Sequence, residues 1–237
     1  MSPYVLGIDG CRSGWLTCSL ELETHKLGFR IFQSFAEILT SHEDAKFIGV
    51  DIPIGLKDDG GPRMCDVEAR ALLGAGRGSS VFPAPFRCLL GIETYVEVCR
   101  VSRQRFGKAL PQQSFAIFPK IAEVDWLMTP ELQRRVFEVH PELCFWSFNH
   151  RPMVHRKKSR EGYAERRLLL NGCGFEIPEC PNWRDVAPGE LDGASRDDVL
   201  DAAVAAYTAY LTKVGKAVRL PRSPIVDMKG LRMEMIY

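Results

Sequence analysis

The chain has 237 residues, of which 46% are hydrophobic and 26% charged, and these values are those of an ordinary soluble globular protein. A formal net charge of +1 gives no overall field that attracts nucleic acid, so any basic surface must be local. No apolar run approaches ~18 residues, which argues against a membrane span. The eight cysteines form no C-x-x-C pair and follow no signal peptide, which predicts reduced thiols in a cytoplasmic protein.

An apolar run that ends in a carboxylate opens the chain. Residues 4–8 predict a strand in the middle of a sheet, and Asp9 follows where this strand leaves the core. A negative charge there costs free energy unless a cation or a hydrogen-bond donor meets it. Because Asp-Gly is also a favourable turn dipeptide, a solvated aspartate that starts the turn is the alternative interpretation.

The next elements predict the class of the fold. Apolar runs at 15–20 and 27–32 complete an antiparallel meander with the first strand. A capping-box pattern that begins at Ser34 predicts a short helix to about Ser41, and a buried strand follows at 47–51. Three antiparallel strands, a helix and a strand parallel to the first are the order of an α/β fold with a mixed sheet.

The fourth strand repeats the glycine-x-aspartate pattern of the first. Gly7 precedes Asp9 by two residues and Gly49 precedes Asp51 by two, so each glycine shares a sheet face with its aspartate. We expect the two strands to be neighbours and their carboxylates to share a metal ion.

A large helical insertion is predicted between the fourth and fifth strands. The region of about 55–135 is too long for a simple crossover, and within it helices are expected at 66–73, 93–105 and 131–136. The stretch 74–80 lacks the ending of a P-loop, although its backbone N–H groups and side chains suit a phosphate. The side chains concerned are Arg77, Ser79 and Ser80.

A fifth strand is predicted at 135–140, and it carries a third in-line acid, Glu138. An edge-strand acid that faces solvent is an equally good interpretation of Glu138. Glu142 follows a proline and is interpreted as a loop or cap residue, and His140 as a structural histidine.

The composition turns basic between 149 and 170, ahead of a Gly/Pro-rich loop at 171–194. Seven cations, including Lys157 and Lys158, stand against two glutamates in this run. Such a run is often a solvated surface, but with neighbouring aromatic residues it also suits a track for a phosphate backbone.

The last helix is predicted from Arg196 to about Lys213 and carries two acids on one face. Asp198 fits a capping box with Ser195, but Asp201 lies among small apolar residues, where a carboxylate is costly unless it is compensated. Asp198 and Asp201 are three residues apart and project from the same side of the helix. Hard carboxylate oxygens that converge with Asp9 and Asp51 favour Mg²⁺ or Mn²⁺ over zinc.

The order of these acids along the predicted strands and the last helix resembles that of proteins with the ribonuclease H-like fold. The D-x-x-D-A run resembles the last helix of Holliday-junction resolvases. More closely, the chain resembles the domain-of-unknown-function family DUF429, a family of predicted ribonuclease H-like nucleases. The matching stretches are 7–12, 50–56, 77–85, 138–142 and 197–202. The resemblance implies one ribonuclease H-like domain over 1–237, with a mixed five-stranded sheet flanked by helices.

The resemblance also implies a divalent-metal-dependent nuclease that acts on DNA or RNA. Asp9, Asp51, Asp198 and Asp201 would hold the metal, with Asp9 bridging two ions ~4 Å apart, and Glu138 would assist catalysis. The expected cofactor is Mg²⁺ or Mn²⁺, and nucleic acid is the expected partner. The residues expected to bind the substrate are Arg12, Arg77, Ser79, Ser80, Lys157 and Lys158.

Two other functions remain open at this point. An actin- or sugar-kinase-like phosphotransferase shares this core, and the turn at 9–14 resembles its first phosphate loop. However, a second strand with an Asp-Gly turn and a Gly-Gly adenosine motif are missing. A non-catalytic module that binds a nucleotide or nucleic acid is the other alternative.

Overall fold

The computed structural model describes residues 2–177 and 191–237. Part of the predicted loop at 171–194, with Cys180, therefore lies outside the described residues. By their contacts the described residues form two compact units. The first consists of Met1–Asp51, Arg135–Val218 and Ile236–Tyr237, and the second of Ile52–Arg134 and Arg219–Met235.

A mixed five-stranded sheet is the centre of the first unit, in the order β3-β2-β1-β4-β5. β1 pairs antiparallel with β2 and parallel with β4, while β4 also pairs parallel with β5. The predicted mixed sheet of an α/β fold is thereby confirmed. The strands are β1 (Tyr4–Cys11), β2 (Gly14–Glu21), β3 (Leu27–Phe32), β4 (Ile48–Val50) and β5 (Val136–Glu138).

Four helices belong to the first unit, and α8 packs against the central strands β1, β2 and β4. The α8 sequence is rich in alanine, so its backbone comes close to the sheet, and ten of its residues are buried. α6 and α7 pack in turn on α8. The helices are α1 (Phe35–Ser41), α6 (Pro141–Asn149), α7 (Arg160–Gly172) and α8 (Arg196–Lys213).

The second unit is helical and contains the predicted insertion. An ion network supports it, in which the Arg87 guanidinium binds the carboxylates of Asp58, Asp125 and Asp227. Asp227 also accepts a hydrogen bond from the Leu56 N–H at 2.9 Å. The helices are α2 (Met64–Arg77), α3 (Tyr95–Phe106), α4 (Gln112–Ala116) and α5 (Phe118–Leu127).

Two short strands, β6 (Arg219–Leu220) and β7 (Met235–Ile236), form a separate two-stranded sheet. The prediction of the insertion did not include the C-terminal segment 219–235, which belongs to the second unit. Within the described ranges, no helix has the length and apolar character needed to cross a membrane.

Several predicted elements changed in extent. The N-cap of α1 is confirmed, since the Ser34 hydroxyl accepts from the Glu37 N–H, whereas the Glu37 carboxylate accepts from the Gln33 N–H. Helix α8 has the predicted bounds. The expected helix at 131–136 is only a 3₁₀ turn at Leu132–Arg134, because the chain straightens into β5 directly afterwards. Helices α4 to α7 were not predicted.

Candidate functional site

Glycines on β1 and β4 allow α8 to lie directly on the sheet. A Cβ atom on Gly7 would stand 2.1 Å from both the Ala202 carbonyl oxygen and the Ala206 nitrogen. A Cβ atom on Gly49 would stand 2.9 Å from the Ala205 oxygen. The glycine of each glycine-x-aspartate pattern therefore makes room for the backbone of a helix, which brings the acids of that helix to the strand ends.

The two strand acids lie on the sheet face that α8 covers. Asp9 and Asp51 each follow their glycine by two residues, and side chains of a strand alternate between faces. Asp9 is only 8% exposed, whereas Asp51 is half-buried at the end of β4, where its N–H donates to the Ile8 carbonyl at 3.0 Å. The parallel pairing of β1 with β4 thus brings the two carboxylates to one edge of the sheet.

The acids of α8 arrive at the same edge. Asp198 is the acid of the capping box, because its carboxylate accepts from the Ser195 N–H at 2.8 Å. Asp201, one turn further along the helix, is 2% exposed. The predicted capping role of Asp198 is confirmed, and the same residue also belongs to the acidic cluster described next.

Burial, together with neighbouring negative charges, raises the pKa values of this group, which we call the carboxylate cluster: Asp9, Asp51, Asp198 and Asp201. Burial and the charges of the other three members raise the pKa of Asp9 well above its usual range. Burial raises the pKa of Asp51 to about 6, partly opposed by Lys157, and the same is true of Asp201. Burial also raises the pKa of Asp198, although its bonds to Ser195 lower it. Ionising the whole cluster therefore requires a compensating cation.

The cation that the structure brings to the cluster is the ammonium group of Lys157. Its Nζ lies 2.6 Å from Asp201 Oδ2 and 3.8 Å from Asp197 Oδ2. Partial burial disfavours the charged amine, but the attraction of Asp201, Asp9 and Asp51 outweighs this effect and raises the Lys157 pKa. We predicted Lys157 as a phosphate ligand, and the structure places it on an aspartate.

Glu142 is a further acid of this site that the sequence interpretation missed. It lies in the first turn of α6, is 7% exposed and forms an ion pair with Arg166. Burial is the main cause of the raised pKa values of Asp51 and Asp201, and the charge of Glu142 adds to it. The sequence does contain an indication of this position. Glu142 follows the end of β5 by four residues, so the first turn of a helix that begins at Pro141 lies close to that strand end.

Glu138 lies on the other face of the sheet. Its register partner on β4 is Val50, and paired residues of parallel strands share a face, so Glu138 points away from the side of Asp51. It is buried, with 3% of its surface exposed. The structure therefore does not bring Glu138 to the carboxylate cluster.

The predicted substrate-binding residues belong to both units. Arg12 and Lys158 are exposed in the first unit, and the Arg12 N–H donates to the Gly193 carbonyl at 3.3 Å. In the second unit the Ser80 hydroxyl donates to the Arg77 carbonyl at 2.7 Å, next to an exposed Ser79. Their contacts with a substrate stay a prediction.

The donor chemistry of the cluster fits a hard divalent cation. Carboxylate oxygens are the ligands that Mg²⁺ and Mn²⁺ prefer, and a nearby cation would stabilise the ionised form of these buried acids. In the part of the chain that the structure describes, no group of three or more His, Cys, Asp or Glu side chains is arranged to hold a metal ion. In the described structure the ammonium group of Lys157 contacts Asp201 and Asp197.

Comparison with known proteins gives one match. The profile of the family described as "Protein of unknown function (DUF429)" matches residues 7–225. No curated protein and no solved structure matches the chain.

Proposed function

The chain belongs to the DUF429 family, and from the carboxylate cluster we propose that it is a divalent-metal-dependent nuclease that hydrolyses phosphodiester bonds of DNA or RNA. The observation that supports this proposal is that four aspartates from two neighbouring strands and the helix packed on them lie together at one end of these strands. Burying that many carboxylates destabilises a fold unless a cation compensates their charge, so a ligand that needs them is the best explanation of their presence.

The order of the strands supports the same proposal. A three-stranded antiparallel meander is followed by two parallel strands. Asp9 lies near the C-terminal end of β1, and Asp51 directly follows β4. This arrangement agrees with the ribonuclease H-like resemblance of the sequence. A shared fold hosts many activities, so the weight rests on the acids themselves.

In this mechanism Asp9, Asp51, Asp198 and Asp201 would hold Mg²⁺ or Mn²⁺. The bound ion supplies a water nucleophile at neutral pH and stabilises the charge on the leaving oxygen. Burial of Asp9 and Asp201 keeps bulk water away from their oxygens. The exposed side chains of Arg12 and Lys158 are available to hold phosphates that flank the reacting one.

We also propose a cytoplasmic location, because the cysteines of the described residues form no disulfide bond and most of them are buried. Nucleic acid is the proposed partner.

The test is a cleavage assay on single-stranded, duplex, hybrid and branched DNA and RNA, with Mg²⁺ or Mn²⁺ and with a chelator. Asp9→Asn removes one charge without changing the shape of the side chain, and we expect it to abolish metal-dependent cleavage. Glu23→Gln is the matched control, because Glu23 is an exposed acid of the same unit. Cleavage that survives Asp9→Asn would refute the proposal. A thermal shift with ATP and Mg²⁺, but none with nucleic acid, would favour a phosphotransferase instead.

A further inference from the structure

We infer that Lys157 is a built-in counter-ion of the carboxylate cluster and that a divalent ion binds by displacing its ammonium group from Asp201. This inference rests on the proposed function, since it concerns the same site. Lys157 would then control the affinity of the cluster for the divalent ion, in addition to any contact that it makes with a phosphate.

The contact with Asp201 is short and specific. Lys157 Nζ lies 2.6 Å from Oδ2 of a side chain that is 2% exposed, so the pair is a charge-assisted hydrogen bond. A divalent ion coordinated by this oxygen would stand where the ammonium group stands. Two cations at that separation repel strongly, so the two occupants exclude each other.

The turn that carries Lys157 is held by many hydrogen bonds. The Glu165 carboxylate accepts from the N–H groups of Val154 and His155, at 2.9 and 3.0 Å. Arg166 donates to the His155 carbonyl at 3.3 Å, and Arg196, in the first turn of α8, donates to the Lys158 carbonyl at 3.3 Å. The backbone at Lys157 is thus fixed from both α7 and α8.

Gly162 allows this turn to lie close to α7. Arg156 is the residue directly before Lys157, and a Cβ atom on Gly162 would stand 1.9 Å from its carbonyl oxygen. The position of the Lys157 main chain is therefore built into the packing of the helix.

The side chain of Lys157 can leave without disturbing that backbone. The side chain of Lys157 is 39% exposed although its ammonium group contacts the cluster, so solvent reaches part of it. Rotation about its side-chain bonds moves the ammonium group into solvent, whereas the hydrogen bonds above involve main-chain atoms. The structure thus combines a fixed anchor with a movable charge, which is what an exchange of cations requires.

The first experiment measures the affinity for Mn²⁺ by titration calorimetry at about pH 8, with no nucleic acid present. Lys157→Gln removes the competing charge, and we expect it to bind Mn²⁺ about 10- to 100-fold more tightly than the wild type, the range for losing one charge-assisted hydrogen bond. Lys158→Gln is the matched control, because Lys158 is the exposed neighbour on the same turn, and we expect no change. Circular dichroism checks that each variant is folded, and Lys157→Arg, which keeps the charge, should bind as weakly as the wild type.

The second experiment follows the lysine itself in the wild type. Acylation of Lys157 by an amine-reactive reagent, quantified by mass spectrometry, should increase when Mn²⁺ is added, while that of Lys158 stays constant.

The outcomes separate this inference from the proposed function. Mn²⁺ binding of equal or lower affinity in Lys157→Gln would overturn the displacement and leave the metal site standing. An absence of binding in the wild type and in every variant would overturn both. If Lys157 were only structural, its acylation would not respond to the ion.

Discussion

Removing the charge of Asp51 should make the protein more stable at neutral pH and leave it unchanged in acid. The pKa of Asp51 is raised from an ordinary 3.8 to about 6, chiefly by burial. Between these values the folded state binds more protons than the unfolded state. The free energy of unfolding of the wild type therefore falls as the pH rises through this window.

The size of the effect follows from the shift in pKa. A difference of about two pKa units corresponds to about 3 kcal/mol between the two protonation states. Because Asp51 is half-buried, solvent screening makes this figure an upper limit. In Asp51→Asn, which has the shape of the protonated acid, we expect little change below about pH 4 and a gain of up to about 3 kcal/mol at pH 7.

Urea unfolding followed by circular dichroism at several pH values between about 3.5 and 7.5 measures this difference directly. Glu23→Gln, an exposed acid of the same unit, changes the net charge equally and should show no such dependence. A gain that does not vary with pH, or a loss of stability that grows with pH, would show that Asp51 is not held in a repulsive cluster.

Three further predictions concern the packing around the cluster and its ligand. Gly7→Ala should lower the free energy of unfolding by about 3 kcal/mol or more, since its Cβ atom would stand 2.1 Å from backbone atoms of α8. Gly172→Ala is the control, because a Cβ atom there would have no described atom from outside its own helix backbone within 4 Å. Equal effects of the two substitutions would contradict the reasoning. Arg166→Met should cost about 3–5 kcal/mol in urea unfolding because it leaves Glu142 charged and buried, and the double variant with Glu142→Leu should recover most of the loss. Mg²⁺ at 100 times its dissociation constant should raise the free energy of unfolding by about 2.7 kcal/mol, which is measured as a higher melting temperature. Asp9→Asn should abolish this gain. An equal gain in the wild type and in the variant would show that the ion binds elsewhere.

Local patterns in the sequence were sufficient for β1 to β5 and for α8. Alternation and apolar runs predicted the meander, and the spacing of Asp198 and Asp201 predicted a shared helix face. These features depend on a few neighbouring residues, so no knowledge of the remaining chain was needed.

The elements missed by the prediction depend on partners distant in the sequence. In α7 the buried face includes Arg166, a charged residue expected in solvent, and its pairing with Glu142, 24 residues away in the sequence, helps to explain this position. The contact of Lys157 with Asp201 likewise joins residues 44 apart. A basic run in the sequence thus contained both a solvated surface and an internal counter-ion.

The face of Glu138 follows from strand register. Its neighbour on β4 is Val50 and not Asp51, and a shift of one residue in the pairing would have moved it to the side of the cluster. The sequence contains the strand and the acid, but the register comes from the packing of the sheet.

The order in which the ribosome produces these residues has a consequence for the nascent protein. Asp9 and Asp51 are synthesised before α8, the helix that covers the sheet face at Gly7. Since domains generally fold as units, this covering awaits the synthesis of α8. Lys157 is translated before Asp201, so the ammonium group is already in the growing polypeptide when the acid that it neutralises is added.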